Sequence, residues 1–186
     1  MAKKSLSLRL ATLAVTALAA LIGTVALAVD TAAIDKQVAA TLEKFYGLNS
    51  RNKYLADNAA AVLVFPSITK VGAGVGGEHG DGALLEHGKT VGHYSVSGAS
   101  IGLTLGVSQH SQVILFQTPQ ARDKFVNSQD WSIGADTSVA VMKTGAGGNY
   151  DTQTLSKPVL AFVFAEKGLM GDASLQGAKI SKLATK

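Results

Sequence analysis

Between Tyr94 and Ser108 the chain alternates between apolar and very small side chains, and few folds can use such a stretch. Ala99, Ile101, Leu103, Leu105 and Val107 hold the odd positions, while Gly98, Ser100, Gly102, Thr104 and Gly106 hold the even ones. A period of two is that of a β-strand, here with one greasy face and one nearly bare face. The bare face allows a helix or another sheet to come close, and its glycines permit sharp coiling or bulges. Eleven of the 20 glycines fall between Gly72 and Gly106, so the constraint extends upstream of that strand.

Around this section lie short apolar runs rich in β-branched and aromatic residues: 61–65, 112–117 and 158–165. They read as strands buried on both faces. Residues 131–144 return to strand, 145–148 form a flexible glycine turn, and 169–180 make a last alternating strand. Helical patterns are fewer. Over 31–46, Ile34, Val38, Leu42 and Phe45 form one stripe, with Asp30 or Thr31 as cap and Gly47 placed to end it. A second helix is expected over 50–60, with Ser50 as N-cap and Tyr54 and Leu55 packing inward. A third follows Pro119 over 120–127, with Thr118 as N-cap. The expectation is an α+β fold, predominantly an antiparallel β sheet or sandwich with glycine-rich strands and two or three short flanking helices. No boundary is visible inside 48–186, which reads as one globular domain preceded by an amphipathic helix over 29–47.

The first 28 residues are of a different kind. Lys3, Lys4 and Arg9 precede an apolar stretch from Leu10 to Leu27, and Ala26-Leu27-Ala28 has the small-x-small form of a cleavage site. This is the layout of a secretory signal peptide cut after Ala28, which sends the mature chain to the periplasm or outside the cell. An uncleaved anchor is the competing reading, but Ala and Thr make the stretch weakly hydrophobic for a permanent span. The segment also explains the charge. The net +4 falls to +1 once it is set aside, leaving 14 basic against 13 acidic groups, which is no nucleic-acid footprint. The absence of cysteine excludes disulfides, thiol nucleophiles and cysteine-based zinc sites.

Several motifs look like chemistry and fail on context. Gly72, Gly74 and Gly77 match G-x-G-x-x-G, but Glu78-His-Gly-Asp-Gly82 follows instead of a helix whose amides could face a pyrophosphate. Gly98-Ala-Ser100-Ile-Gly102 matches the nucleophile elbow, but the strand alternation continues through Ser100 and no acid separates it from His110. Glu78, His79, Asp81, Glu86, His87 and His93 crowd together without a known metal-ligand spacing, and G-D-G and H-G-K are also hairpin-turn sequences. The glycine spacings of the G-x-x-x-G type lie among polar neighbours, which excludes a transmembrane dimer face. Asp136 is either a buried, hydrogen-bonded carboxylate or a strand-edge residue. No catalytic residue, metal or cofactor is assigned.

The helix over 31–46 admits two readings. It docks on the domain through its stripe, or it lies in a membrane interface with Ile34, Val38, Leu42 and Phe45 inserted and Lys36 and Lys44 near anionic headgroups. In the second case Asp35 and Glu43 offset the two lysines.

The order of the glycines resembles the SYLF domain family over about residues 54–183. The blocks that carry the resemblance are Phe65-Pro66-x-x-x-Lys70-x-Gly72-x-x-x-Gly76, Ser97-Gly-Ala-Ser100-x-Gly102-Leu103 with Gly106, Trp131-x-Ile133-Gly134-Ala135-Asp136, and Lys167-Gly168-Leu169-Met170 with Ser174-Leu175-Gln176-Gly177. The resemblance implies a non-enzymatic module that associates with membranes. It also implies an N-terminal amphipathic helix, phosphoinositide recognition in eukaryotic members and actin binding in some of them. The chain departs from those members in its export signal, its lack of adaptor modules and a helix without a basic cluster. A phospholipid surface is the partner expected, with Lys70 the one basic position carried over from the family. The alternative is a structural or protein-interaction module of the cell envelope whose glycine-lined sheet face receives a partner.

Overall fold

The computed structural model describes residues 29–133, 136, 138–143, 150–168 and 178–184. Helix α1 runs Thr31–Leu48, and the Asp30 side chain caps it by accepting from the Ala33 amide at 3.1 Å. It continues through Gly47 because Asn49, in extended conformation, is what stops it. Asn49 also caps α2, Ser50–Asp57, accepting from the Arg51 amide at 2.9 Å, so the cap is not Ser50. Within α2 the buried residues are Asn52 and Ala56, and Leu55 packs at the margin of the core. Tyr54, expected inside, is 69% exposed. It stands two positions from Asn52 and from Ala56, the i and i+4 pair that faces inward, so it turns away from them.

Strands β1 (Ala61–Glu86) and β2 (Lys89–Phe116) form one long antiparallel hairpin, in register from Glu86↔Lys89 to Ala61↔Phe116. His87 and Gly88 close it with φ of 49° and 77°, the left-handed pair that suits the twist of a two-residue hairpin turn. The H-G-K sequence is therefore a turn, whereas Gly80-Asp-Gly82 lies inside β1. The second edge of β2 is shared: Tyr94–Ser97 pair with β6 (Lys179–Lys182), and Ser108–Phe116 pair with β5 (Val159–Gly168). β3 (Trp131–Ser132) joins β6, and β4 (Val139–Lys143) joins β5 as the one parallel pairing among the described residues. Helix α3 (Pro119–Val126) starts at the Thr118 cap as expected, and a single turn, α4 (Thr152–Leu155), makes a fourth helix among the described residues. The fold is α+β with a mostly antiparallel, curled sheet.

The stretch read as one strand over 131–144 is two short ones. Asp136 stands between them, its carboxylate taking hydrogen bonds from Trp131 Nε1, Lys124 Nζ and both the amide and hydroxyl of Ser138. The Asp136 carbonyl in turn accepts from the Val139 amide at 3.1 Å, where β4 begins. The glycine turn over 145–148 and the expected strand positions 169–177 lie outside the described residues, as do 1–28; Ile180 belongs to β6.

Both faces of the sheet are covered where the apolar runs meet. On one face Leu63, Phe65, Phe116 and Val163 pack with Phe125 of α3 and Trp131. On the other Val64, Leu115, Leu160 and Phe162 receive Val38, Leu42 and Phe45 of α1. The hairpin does not stay flat. A register shift between Phe65 and Ile68 bends β1, and Ser111 Oγ reaches the freed Pro66 carbonyl at 2.8 Å. β1 then doubles back until Gly80 lies against Ser67 and Ile68, and Gly82 against Val64 and Phe65. The glycines are needed there: a β-carbon on Gly80 would stand 2.6 Å from the Ser67 carbonyl oxygen.

Candidate functional site

Because β1 meets itself at Ile68 and Gly80, the ribbon between those points projects as an arch made of residues 69–79 and their partners in β2. Alternation along the arch sorts its side chains onto two faces. The small-residue side turns inward, where Gly76 and Gly80 are buried. Lys70 lies on this side too, following Ile68, and is only 6% exposed. Glu78 lies over Gly98, its cross-strand partner, which has no β-carbon to obstruct it. Burial holds the Glu78 carboxyl above the usual carboxylate range, an effect that the positive charge of Lys70 offsets only in part.

The apolar side turns outward. Val71, Val75 and Val107 are 48%, 68% and 55% exposed, and Ala73 and Ala99 are exposed beside them. Val71 sits directly opposite Val107, and Val75 opposite Ile101, in the antiparallel register. The ladder shifts register between Ala73 and Val75, and Gly106 adopts φ 123°, which residues with a side chain rarely reach. These irregularities fall at the crown of the arch, where a twisted ribbon has to bend. No charged residue occurs in 71–77 or in 94–109, so the crown is apolar or small throughout.

The residues singled out from the sequence are divided among different surroundings. Val38, Leu42 and Phe45 are buried against the sheet, and Ile34 packs at the edge of the same cluster. Phe45 meets Phe162 edge-on at 4.9 Å and stacks with Phe164 at 5.8 Å. Asn52 Nδ2 donates to the Phe45 carbonyl at 2.8 Å, and Tyr150 Oη donates to Asn52 Oδ1 at 2.9 Å. At the other end, Asp35 Oδ1 accepts from Thr90 Oγ1 at 3.1 Å and stands 3.0 Å from His93 Nε2. The stripe is thus docked, the first of its two readings. With each buried side chain contributing about 1.5–3 kcal/mol, three of them oppose release of the helix. Lys36 and Lys44 are exposed on its outer side, and Lys70 is not with them.

Of the glycine-lined face that the alternative reading offered to a partner, Gly98 is covered by the Glu78 side chain, while Gly80 and Gly82 of β1 pack on β1 itself. The apolar counterpart of that face on Val71, Ala73 and Val75 went unread, although the period of two that is plain over 94–108 also runs through 69–76. The Ser100 side chain lies outside the described residues. Glu78, His79 and Asp81 sit in a strand and Glu86 ends it, with Glu86 2.7 Å from Arg122 Nη1. Among the described residues no three His, Asp or Glu gather as a metal site would require, and no helix is long and apolar enough to cross a membrane.

Residues 97–185 match a protein-family model, Ysc84, described as Las17-binding protein actin regulator. The match begins within β2 and takes in the sequence blocks at 97–106, 131–136 and 167–177, leaving α1, α2 and β1 outside it. No curated protein matches the chain.

Proposed function

We propose, from the premise that residues 97–185 belong to the Ysc84 (SYLF) family, that this chain is an exported, non-enzymatic module that binds a phospholipid surface through the crown of its glycine-rich arch. The family is one of lipid- and actin-binding modules, which supports a binding role in place of catalysis. Export rests on the signal-peptide layout of residues 1–28.

The observation that carries the membrane reading is the outward face of Val71, Val75 and Val107. Clustered apolar side chains on a projecting ribbon mark an interaction surface. A lipid partner suits this one because the crown has no charge to desolvate, and an ionised side chain at membrane depth costs about 2.5–3.5 kcal/mol. Half-exposed valines offer about 1 kcal/mol each on insertion, so the association is shallow and reversible. Lys36 and Lys44 add a smaller, salt-sensitive attraction to anionic headgroups. The α1 stripe takes no part, since its apolar surface is already covered by the sheet.

The test is co-sedimentation of the chain starting at Val29 with vesicles of phosphatidylcholine and phosphatidylglycerol. Binding should persist at raised salt and fall sharply in a Val75→Asp, Val107→Asp variant that unfolds at the wild-type denaturant midpoint. Undiminished sedimentation of that variant, or none of the wild type with any lipid mixture, overturns the reading.

A further inference from the structure

Beside α1 lies a second surface of opposite character. A cavity of about 430 Å³ opens between the helix and the β1–β2 turn, and another of about 250 Å³ continues it toward α2. Leu42, Tyr46, Leu85 and Gly88 line both, so the two form one groove. Its floor is apolar, with Leu42, Leu85, Val62 and Ala56, and the larger opening is within the size range of ligand clefts. Its charged lining is of one sign: Asp35 and Glu43 on α1, and Asp57 at the end of α2, with no lysine or arginine. His87 stands at the turn side.

The chain itself demonstrates what these walls accept. Lys53 lines neither cavity, but its Nζ lies 2.7 Å from Asp57 Oδ2 and 5.5 Å from the centre of the Tyr46 ring, so two of the lining residues already hold an ammonium between a carboxylate and an aromatic face. That pair is solvent-exposed, and such pairs hold weakly, so an incoming ammonium can take the place of Lys53. Glu43 presents a further exposed carboxylate midway along α1. From Asp35 to Tyr46 the helix rises about 16 Å, the span of about five residues of extended peptide.

We infer that this groove binds a short, extended protein segment that alternates aliphatic side chains with lysine or arginine. The aliphatic groups enter over Leu42 and Leu85, and the cations meet Glu43 and Asp57. An anionic headgroup is disfavoured by the same carboxylates, so the groove serves a protein partner and stands independently of the lipid-binding crown.

The experiment is fluorescence anisotropy with a labelled pentapeptide of alternating lysine and leucine, titrated with the full chain, and with a glutamate–leucine peptide in parallel. The lysine peptide should bind saturably, more weakly as salt rises, and the glutamate peptide should not. Glu43→Lys and Ala39→Arg change exposed residues of α1, and circular dichroism checks that both variants stay folded. Each should weaken the lysine peptide by about five- to tenfold, equivalent to about 1–1.4 kcal/mol. Ala39→Arg should leave binding of the Val29 form to net-neutral phosphatidylcholine vesicles unchanged, which separates this inference from the membrane reading. Equal binding of the two peptides, no binding by about 1 mM protein, or unaltered affinity in both folded variants overturns the assignment.

Discussion

Gly80 packs against the backbone of Ile68, twelve positions earlier in the same strand, so closely that a β-carbon at Gly80 would stand 3.0 Å from the Ile68 Cα. This contact closes the base of the arch and sets the valine crown apart from the core. Gly80→Val should therefore cost about 1–3 kcal/mol of unfolding free energy in urea, the usual penalty for overfilling a packed site. Gly77→Ala is the comparison: its nearest neighbour would be a carbonyl oxygen at 3.7 Å, and its effect should stay within about 0.5 kcal/mol. Equal effects at the two positions would sink the closed-arch account.

Phe45 fastens α1 to the sheet. Truncation in Phe45→Ala removes its contacts with Phe162 and Phe164 and leaves a cavity, so a loss of about 3–5 kcal/mol is expected in chemical denaturation. Lys36→Ala, on the exposed side of the same helix, should change stability by less than about 0.5 kcal/mol.

Asn52 links α1 to Tyr150 from a fully buried position. Asn52→Ala strips the Phe45 carbonyl of this donor and the Tyr150 hydroxyl of its acceptor, at about 1–3 kcal/mol for each group left unpaired. Tyr150→Phe should cost less, and the double variant should cost less than the two singles together. Strict additivity in that cycle would mean that the two residues do not act through one bond.

Asp136 governs part of the acid response. Burial pushes its carboxyl up, but hydrogen bonds from Ser138, Lys124 and Trp131 together outweigh burial and hold it well below the ordinary carboxylate range. A depressed folded value means that the contribution is fully present above the unfolded value near about 4 and is lost as pH falls toward the folded one. Unfolding curves should show the widest gap between wild type and Asp136→Asn at neutral pH, narrowing steadily below about pH 4. A gap that stays constant to pH 2.5 would refute the linkage.

Elements set by local chemistry were legible in the sequence. The Thr118–Pro119 start of α3, the stripe of α1 and the strand alternation after Tyr94 each follow from neighbours within a few residues. What could not be read was decided by residues far apart in the chain. Nothing near Tyr54 states that Asn52 is needed beneath Phe45, and nothing near Gly82 states that Val64 will lie against it. The arch is a case of the same kind: the close approach of β1 to itself needs Gly80 and Gly82 on the inside, and Val71, Val75 and Val107 are left outside. Lys70, the basic position carried over from the family resemblance, is buried on the inner side of the arch.

β2 is bordered on one edge by β1 and on the other by β5 and β6, which come last in the chain. Each apolar layer waits for that late-made quarter: Val163 and Ile180 complete one, Leu160 and Phe162 the other. During synthesis the long hairpin therefore remains a half-clad template until β5 and β6 have emerged. Whatever handles the nascent polypeptide, whether chaperone, protease or translocation machinery, encounters it in that state.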